Sequence, residues 1–246
     1  HPFSPDAELF GDSEGHVGWI ATGLSPRRTT HDGLTPVPGD GRYEWAGYYD
    51  YAELPRRFDP PEGYVASANE MNLPAEFLAR GEPFGFEWPD RSRITRIREV
   101  LGAGGRAAVA ETMALQTDPT SQHARRLAAL ARALPPSAEI ACARDQLAGF
   151  EGRLDAQSGA AALVEVWFSR RLKPATLAAL VPDEETRVLM GPGDAEAIMR
   201  ALERPDGRFG AAPEAARDAL LARTLALAWE DCAALMGADP AGWAWG

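Results

Sequence analysis

Asn69 is a residue whose type and place in the sequence could carry chemistry. It closes the run Pro60-Pro-Glu-Gly-Tyr-Val-Ala-Ser-Ala-Asn69, and its side-chain amide donates hydrogens without bearing charge. Such a donor, aimed at an oxygen on which negative charge develops, stabilises the tetrahedral intermediate of acyl transfer. Asparagine at the end of an extended segment also commonly caps a turn, and the spacing alone favours that simpler use. Downstream, Arg91, Arg93, Arg96 and Arg98 crowd the start of a helical pattern and by themselves read as a solvated helix face. Tyr43, Trp45, Tyr48, Tyr49 and Tyr51 could form a stacking platform for a sugar or peptide, although packing of a loop explains them more simply. Glu14-Gly-His16 and His31-Asp32 are isolated pairs in turns and read as surface residues, not metal ligands.

The elements that must position these residues change character along the chain. Gly15-His-Val-Gly-Trp-Ile-Ala-Thr-Gly23 reads as a strand bounded by glycines, and Asp12-Ser-Glu-Gly15 as the tight turn of a hairpin. Pro36, Pro38, Pro55, Pro60 and Pro61 exclude long regular elements and imply an ordered wrapping loop. Tyr64–Ala68 is a second strand candidate, ending at Asn69. From Ser92 onward the apolar spacing becomes helical: Ile94, Ile97 and Leu101, then a Gly102-Ala-Gly-Gly105 break. Leu127, Leu130 and Leu134 follow, stopped by Pro135-Pro136. Leu163, Val164, Trp167, Phe168 and Leu172 form a further stripe, stopped by Pro174. Leu221, Leu225, Trp229, Cys232 and Leu235/Met236 form the last, ending at Gly237. These stripes are core-facing surfaces. The expected class is α+β, strand- and loop-rich over residues 1–75 and mainly helical over 76–246.

Composition narrows the partners. A net charge of −11 argues against nucleic acid or an anionic membrane, which attract cationic surfaces. No apolar run is long enough to span a bilayer, and the N-terminus carries no basic-then-apolar signal region. The two cysteines, Cys142 and Cys232, sit among alanines and leucines and read as buried free thiols, with a disulfide between them as the alternative.

Several motifs, in a consistent order, resemble the penicillin amidase family of N-terminal-nucleophile hydrolases. Asp12-x-x-Gly15-x-Val-Gly-Trp-Ile-x-x-Gly23 is similar to its hairpin, and Asp32-Gly-Leu-Thr-Pro-Val-Pro-Gly39 to its Leu-Pro-Val-Pro-Gly loop, with Thr35 intervening. Tyr43-Glu-Trp-Ala-Gly-Tyr48 with Glu53-Leu-Pro55, Asp90-Arg-Ser-Arg-Ile-Thr-Arg-Ile97, and Phe150-Glu-Gly-Arg-Leu-Asp-Ala-Gln-Ser158 with Ala160-Ala161 match three further segments. The last departs from the family pattern, Phe150 standing for tryptophan and Glu151 for aspartate.

The resemblance implies an αββα fold, two stacked sheets covered by helices, and cleavage of amide bonds in N-acyl compounds through an acyl-enzyme. Candidate substrates are an acylated antibiotic, an acyl-homoserine lactone or another N-acyl compound. It implies an oxyanion-hole role for Asn69 and places Arg93 near the nucleophile, where a permanently protonated guanidinium sets charge and position. It also implies a structural calcium, with Glu82 and the Gly33 carbonyl among its ligands. His1 is not the family's nucleophilic serine, and Ser4, preceded by three residues and followed by Pro5, does not qualify. The chain is therefore expected to be an internal segment of a β subunit, partnered by the α subunit and the remaining β-chain segments of one precursor. The parent would be periplasmic or secreted. The competing expectations are a truncated non-catalytic remnant and a self-contained aromatic-rich binding module.

Overall fold

The computed structural model describes residues 6–86, 88–105 and 108–245, and the chain divides into two compact units, His1–Leu115 and Gln116–Gly246. Ser4 and His1 lie outside the described residues.

The first unit holds a three-stranded antiparallel sheet of β1 (Asp6–Gly11), β2 (Val17–Thr22) and β3 (Arg56–Phe58), in that order. The hairpin between β1 and β2 turns where the sequence indicates. Asp12 Oδ1 accepts from the backbone of Glu14 and of His16, each at 2.9 Å, and Gly15 takes a φ of 95° that a side chain would resist. Phe10, Gly18 and Phe58 lie in one cross-strand row. The Phe10 ring lies over Gly18, so close that a Cβ there would stand 2.1 Å from it. This accounts for the glycine in a central strand.

Between β2 and β3 the proline-punctuated chain wraps back on itself. Arg27 N donates to Gly47 O and Ala46 N to Arg27 O, each at 2.9 Å, and Tyr49 N donates to Ser25 O at 3.0 Å. This return seats Tyr49 in the interior, its ring 5.9 Å from Phe84 and 6.4 Å from Phe77. Trp45, Tyr48 and Tyr51 remain exposed, so the aromatic group divides between packing and surface.

Tyr64–Ala68 is not a strand. It is irregular backbone without a partner ladder among the described residues, and a strand exists only where a neighbour takes its hydrogen bonds. The strand that does form, β3, is Arg-Arg-Phe and exposed throughout, a composition that carries no alternation to read. After a short α1 (Ala75–Leu78), α2 (Ser92–Gly102) buries Ile94 completely. It ends at the glycine break. α3 (Val109–Gln116) buries none of its residues.

The second unit is helical: α4 (Gln122–Ala133), α5 (Ala141–Gln146), α6 (Gly159–Val166), α7 (Lys173–Leu180), α8 (Glu184–Met190), α9 (Ala195–Glu203) and α10 (Pro213–Met236). Its core joins Leu127, Leu163, Trp167, Leu172, Leu202, Leu221 and Leu225, largely the residues of the sequence stripes. Pro174 does not stop the helix it enters. A π-helical segment, Trp167–Leu172, runs directly from α6 into α7. Proline lacks an N–H and its ring crowds the preceding turn; widening that turn accommodates both. Both cysteines are free thiols, but only Cys232 is buried; Cys142 is exposed, because on the short α5 it faces away from the buried Ala143. Burial pushes the Cys232 thiol up to about 11. No described helix is long and apolar enough to cross a membrane.

Candidate active site

Asn69 occupies an exposed turn between two buried residues, Ala68 and Glu70. Its φ of 65° is left-handed, a region asparagine enters more readily than other residues bearing a Cβ. The turn is gripped by charged groups. Glu70 is fully buried; its Oε2 accepts from Ala68 N at 2.8 Å, and its Oε1 accepts from Arg98 Nη2 at 3.3 Å. From the first turn of α2, Arg93 Nη2 donates to Ala68 O at 2.7 Å and to Asn69 Oδ1 at 3.0 Å. Both backbone polar groups of Ala68 are thus held by side chains. On the same turn Asn72 Nδ2 donates to Ser67 Oγ at 3.1 Å.

The start of α2 places Arg93. Asp90 Oδ1 accepts from Ser92 N at 2.7 Å, satisfying one of the free N–H groups at a helix N-terminus and opening the helix one residue before Arg93. The next arginine on that side, Arg96, pairs with Glu99 Oε2 at 3.2 Å. A guanidinium only donates, so the Asn69 amide must turn its oxygen toward Arg93. Its NH₂ is then the end available to an incoming acceptor.

The structure therefore brings Asn69 and Arg93 together. It also adds Arg98, which by sequence reads as part of a solvated helix face but pairs with Glu70, and Glu70, which the sequence does not single out; an acidic residue beside an asparagine carries no local sign of burial.

Glu82 belongs to a different cluster. Its Oε2 accepts from the Tyr49 hydroxyl and lies 3.9 Å from Arg27 Nη1. Arg27 also pairs with Glu53 and lies 4.3 Å above the Tyr49 ring. Burial first, then the bond to Glu82, pushes the Tyr49 phenol up to about 12. Glu82 and the Gly33 carbonyl do not by themselves make a calcium site. Among the described residues no group of three or more His, Cys, Asp or Glu side chains gathers to hold a metal. Glu82 already faces the Arg27 guanidinium. Calcium requires several oxygens free to converge.

His16 pairs with Asp59, Nδ1 to Oδ2 at 2.6 Å, and Asp59 Oδ1 accepts from Val17 N at 3.0 Å. In the second unit, a pocket of about 290 Å³ is lined by Glu165, Ser169, Arg170, Met236 and Trp245 among others. The Ser169 hydroxyl there donates to the Glu165 carbonyl at 2.6 Å, so it is not poised as a nucleophile.

The family model for penicillin amidase matches residues 8–246. The chain belongs to the penicillin amidase family. The acyl-homoserine lactone acylase QuiP of Pseudomonas putida is 33% identical over 263 aligned residues, covering 97% of this chain and 32% of that protein. Penicillin G acylase of Escherichia coli is 33% identical over 93 residues, covering 37% of this chain and 11% of that one. The solved structure of thermostable penicillin G acylase from Alcaligenes faecalis superposes with a TM-score of 0.71 at 20% identity, over 96% of this chain and 48% of that one. The α+β fold of this chain is accordingly that of an N-terminal-nucleophile hydrolase. The chain spans about a third of the length of the acyl-homoserine lactone acylases it matches, 32% for the first.

Proposed function

We propose that this chain forms part of an amide-bond hydrolase acting on N-acyl compounds through an acyl-enzyme. One observation carries the reading: Arg93 holds the Asn69 oxygen at 3.0 Å, which commits the amide NH₂ to another acceptor. In the reaction that acceptor is the oxyanion of the tetrahedral intermediate. The Arg93 guanidinium keeps the amide in register and adds positive potential beside the developing charge. The attacking serine and most of the acyl pocket come from the α subunit and the remaining β-chain segments of the same precursor, in a periplasmic or secreted parent. Family membership and the acylase names of the relatives support amide hydrolysis. Because the acyl-homoserine lactone acylase aligns along 97% of the chain, an N-acyl-homoserine lactone is the substrate to try first, with acylated β-lactams next.

The test is kcat of the enzyme assembled from the full precursor carrying Asn69→Gly. Glycine removes the amide but adopts a left-handed φ without strain. Loss of one oxyanion donor lowers kcat by about 10²–10³, and unfolding should be little changed. A near-normal kcat would remove Asn69 from the mechanism.

A further inference from the structure

Glu70 is the one fully buried carboxylate among the described residues, and both of its oxygens are directed at the Asn69 turn or its support. Its Oε2 takes the Ala68 N–H at 2.8 Å while Arg93 takes the Ala68 carbonyl at 2.7 Å. A peptide unit on each side of Ala68 is thereby locked by an ionic partner. The next residue is Asn69, at a left-handed φ of 65°. Charged hydrogen bonds are about twice as strong as neutral ones. An acid is needlessly costly for holding an ordinary surface turn, since its burial demands a partner such as Arg98.

We propose that Glu70 is a positioning residue for catalysis: its carboxylate, seated by Arg98, sets the Ala68–Asn69 backbone so that the Asn69 amide points at the reacting carbonyl. This rests on the oxyanion role of Asn69. Glu70 touches no substrate. It acts through Asn69 alone, so its effect on turnover should exist only while the Asn69 amide is present.

A double-mutant cycle on the assembled enzyme tests this. Glu70→Gln keeps the side-chain shape and an acceptor for Ala68 N–H, but turns an amide NH₂ against the Arg98 guanidinium. Misplacing a catalytic group by a fraction of an ångström to one ångström costs up to about 10²-fold. The expected result is kcat lowered ~10- to 100-fold with KM nearly unchanged. In an Asn69→Gly background the same substitution should leave kcat unaltered, while lowering Tm equally in both backgrounds. A purely structural role would move Tm and leave no coupling in kcat. A full loss of kcat persisting on Asn69→Gly, or a normal kcat for Glu70→Gln, would overturn the proposal. If Asn69→Gly itself retains normal kcat, the oxyanion reading fails first, and that outcome is distinct. Should Glu70→Gln not fold, Arg98→Gln runs the same cycle from the partly exposed partner, with the same coupling expected and additivity again overturning it.

Discussion

Arg93 Nη2 donates to Asn69 Oδ1 at 3.0 Å across 24 residues of sequence. The pair converts a flexible surface amide into an oriented one. Arg93 itself is exposed, so its contribution lies in direction rather than in buried charge.

Arg93→Ala should therefore lower kcat/KM while Arg96→Ala leaves it within about twofold. Arg96 pairs with Glu99 on its own helix, and such exposed pairs contribute little. Arg93→Lys should recover only part of the activity, because one ammonium cannot reproduce a planar fork spanning Ala68 O and Asn69 Oδ1. Steady-state kinetics of the three variants in the assembled enzyme decides it; a larger loss at Arg96 would mean that the wrong arginine has been assigned.

The backbone at Asn69 makes a separate prediction about stability. At a φ of 65° an alanine pays for the left-handed conformation, and a glycine does not. Asn69→Ala should be less stable than Asn69→Gly by about 1 kcal/mol. Denaturant unfolding of the two variants measures the gap. Equal stabilities would show that the turn relaxes out of the left-handed region once the amide is gone.

Much of the helical unit is legible in the sequence, because apolar spacing and proline or glycine stops are local signals. Leu127 to Leu134 with Pro135-Pro136, and Leu221 to Cys232 with Gly237, mark the C-terminal ends of α4 and α10 closely. The hairpin is legible for the same reason, through Asp12 and Gly15. What is missed depends on distant partners. Tyr64–Ala68 has the residues of a strand and, among the described residues, no neighbour to pair with, whereas Arg56–Phe58 becomes a strand because β2 lies beside it. Pro174 reads as a stop, yet a widened turn carries the helix past it. Within the site, Asn69 and Arg93 emerge from the family resemblance. Glu70 does not, since its burial is decided by Arg98, 28 residues away.

Calcium gives a prediction at Glu82. With Tyr49 and Arg27 already on the carboxylate, adding millimolar calcium should leave the Tm of this chain unchanged, because a ligand stabilises only by binding the folded state. A calcium-dependent rise in Tm that Glu82→Gln abolishes would place the cation there after all.

The His16–Asp59 pair gives the pH dependence. The bond to Asp59, then its negative charge, holds the His16 imidazole above its ordinary 6.5. Asp12 adds to this, and Glu14 stands 4.0 Å from Nε2. A pKa raised on folding means that the folded state binds the proton more tightly. The stabilisation is then fully present below 6.5 and is lost as pH rises through the folded value. Asp12 works in the opposite sense: the backbone N–H of His16 holds its carboxyl below 3.8, so its contribution fades only in acid, well outside this window. Because the pair joins the β1–β2 turn to the end of β3, loosening should be local. Amide exchange at Val17 and Asp59, whose N–H groups bond Asp59 Oδ1 and Val17 O, should gain protection below the histidine transition relative to above it. That gain is measured after correction for intrinsic base-catalysed exchange. Asp59→Asn should bring the His16 titration, followed by NMR, back toward 6.5 and remove the pH dependence of protection; an unmoved titration would show that Asp59 is not its cause.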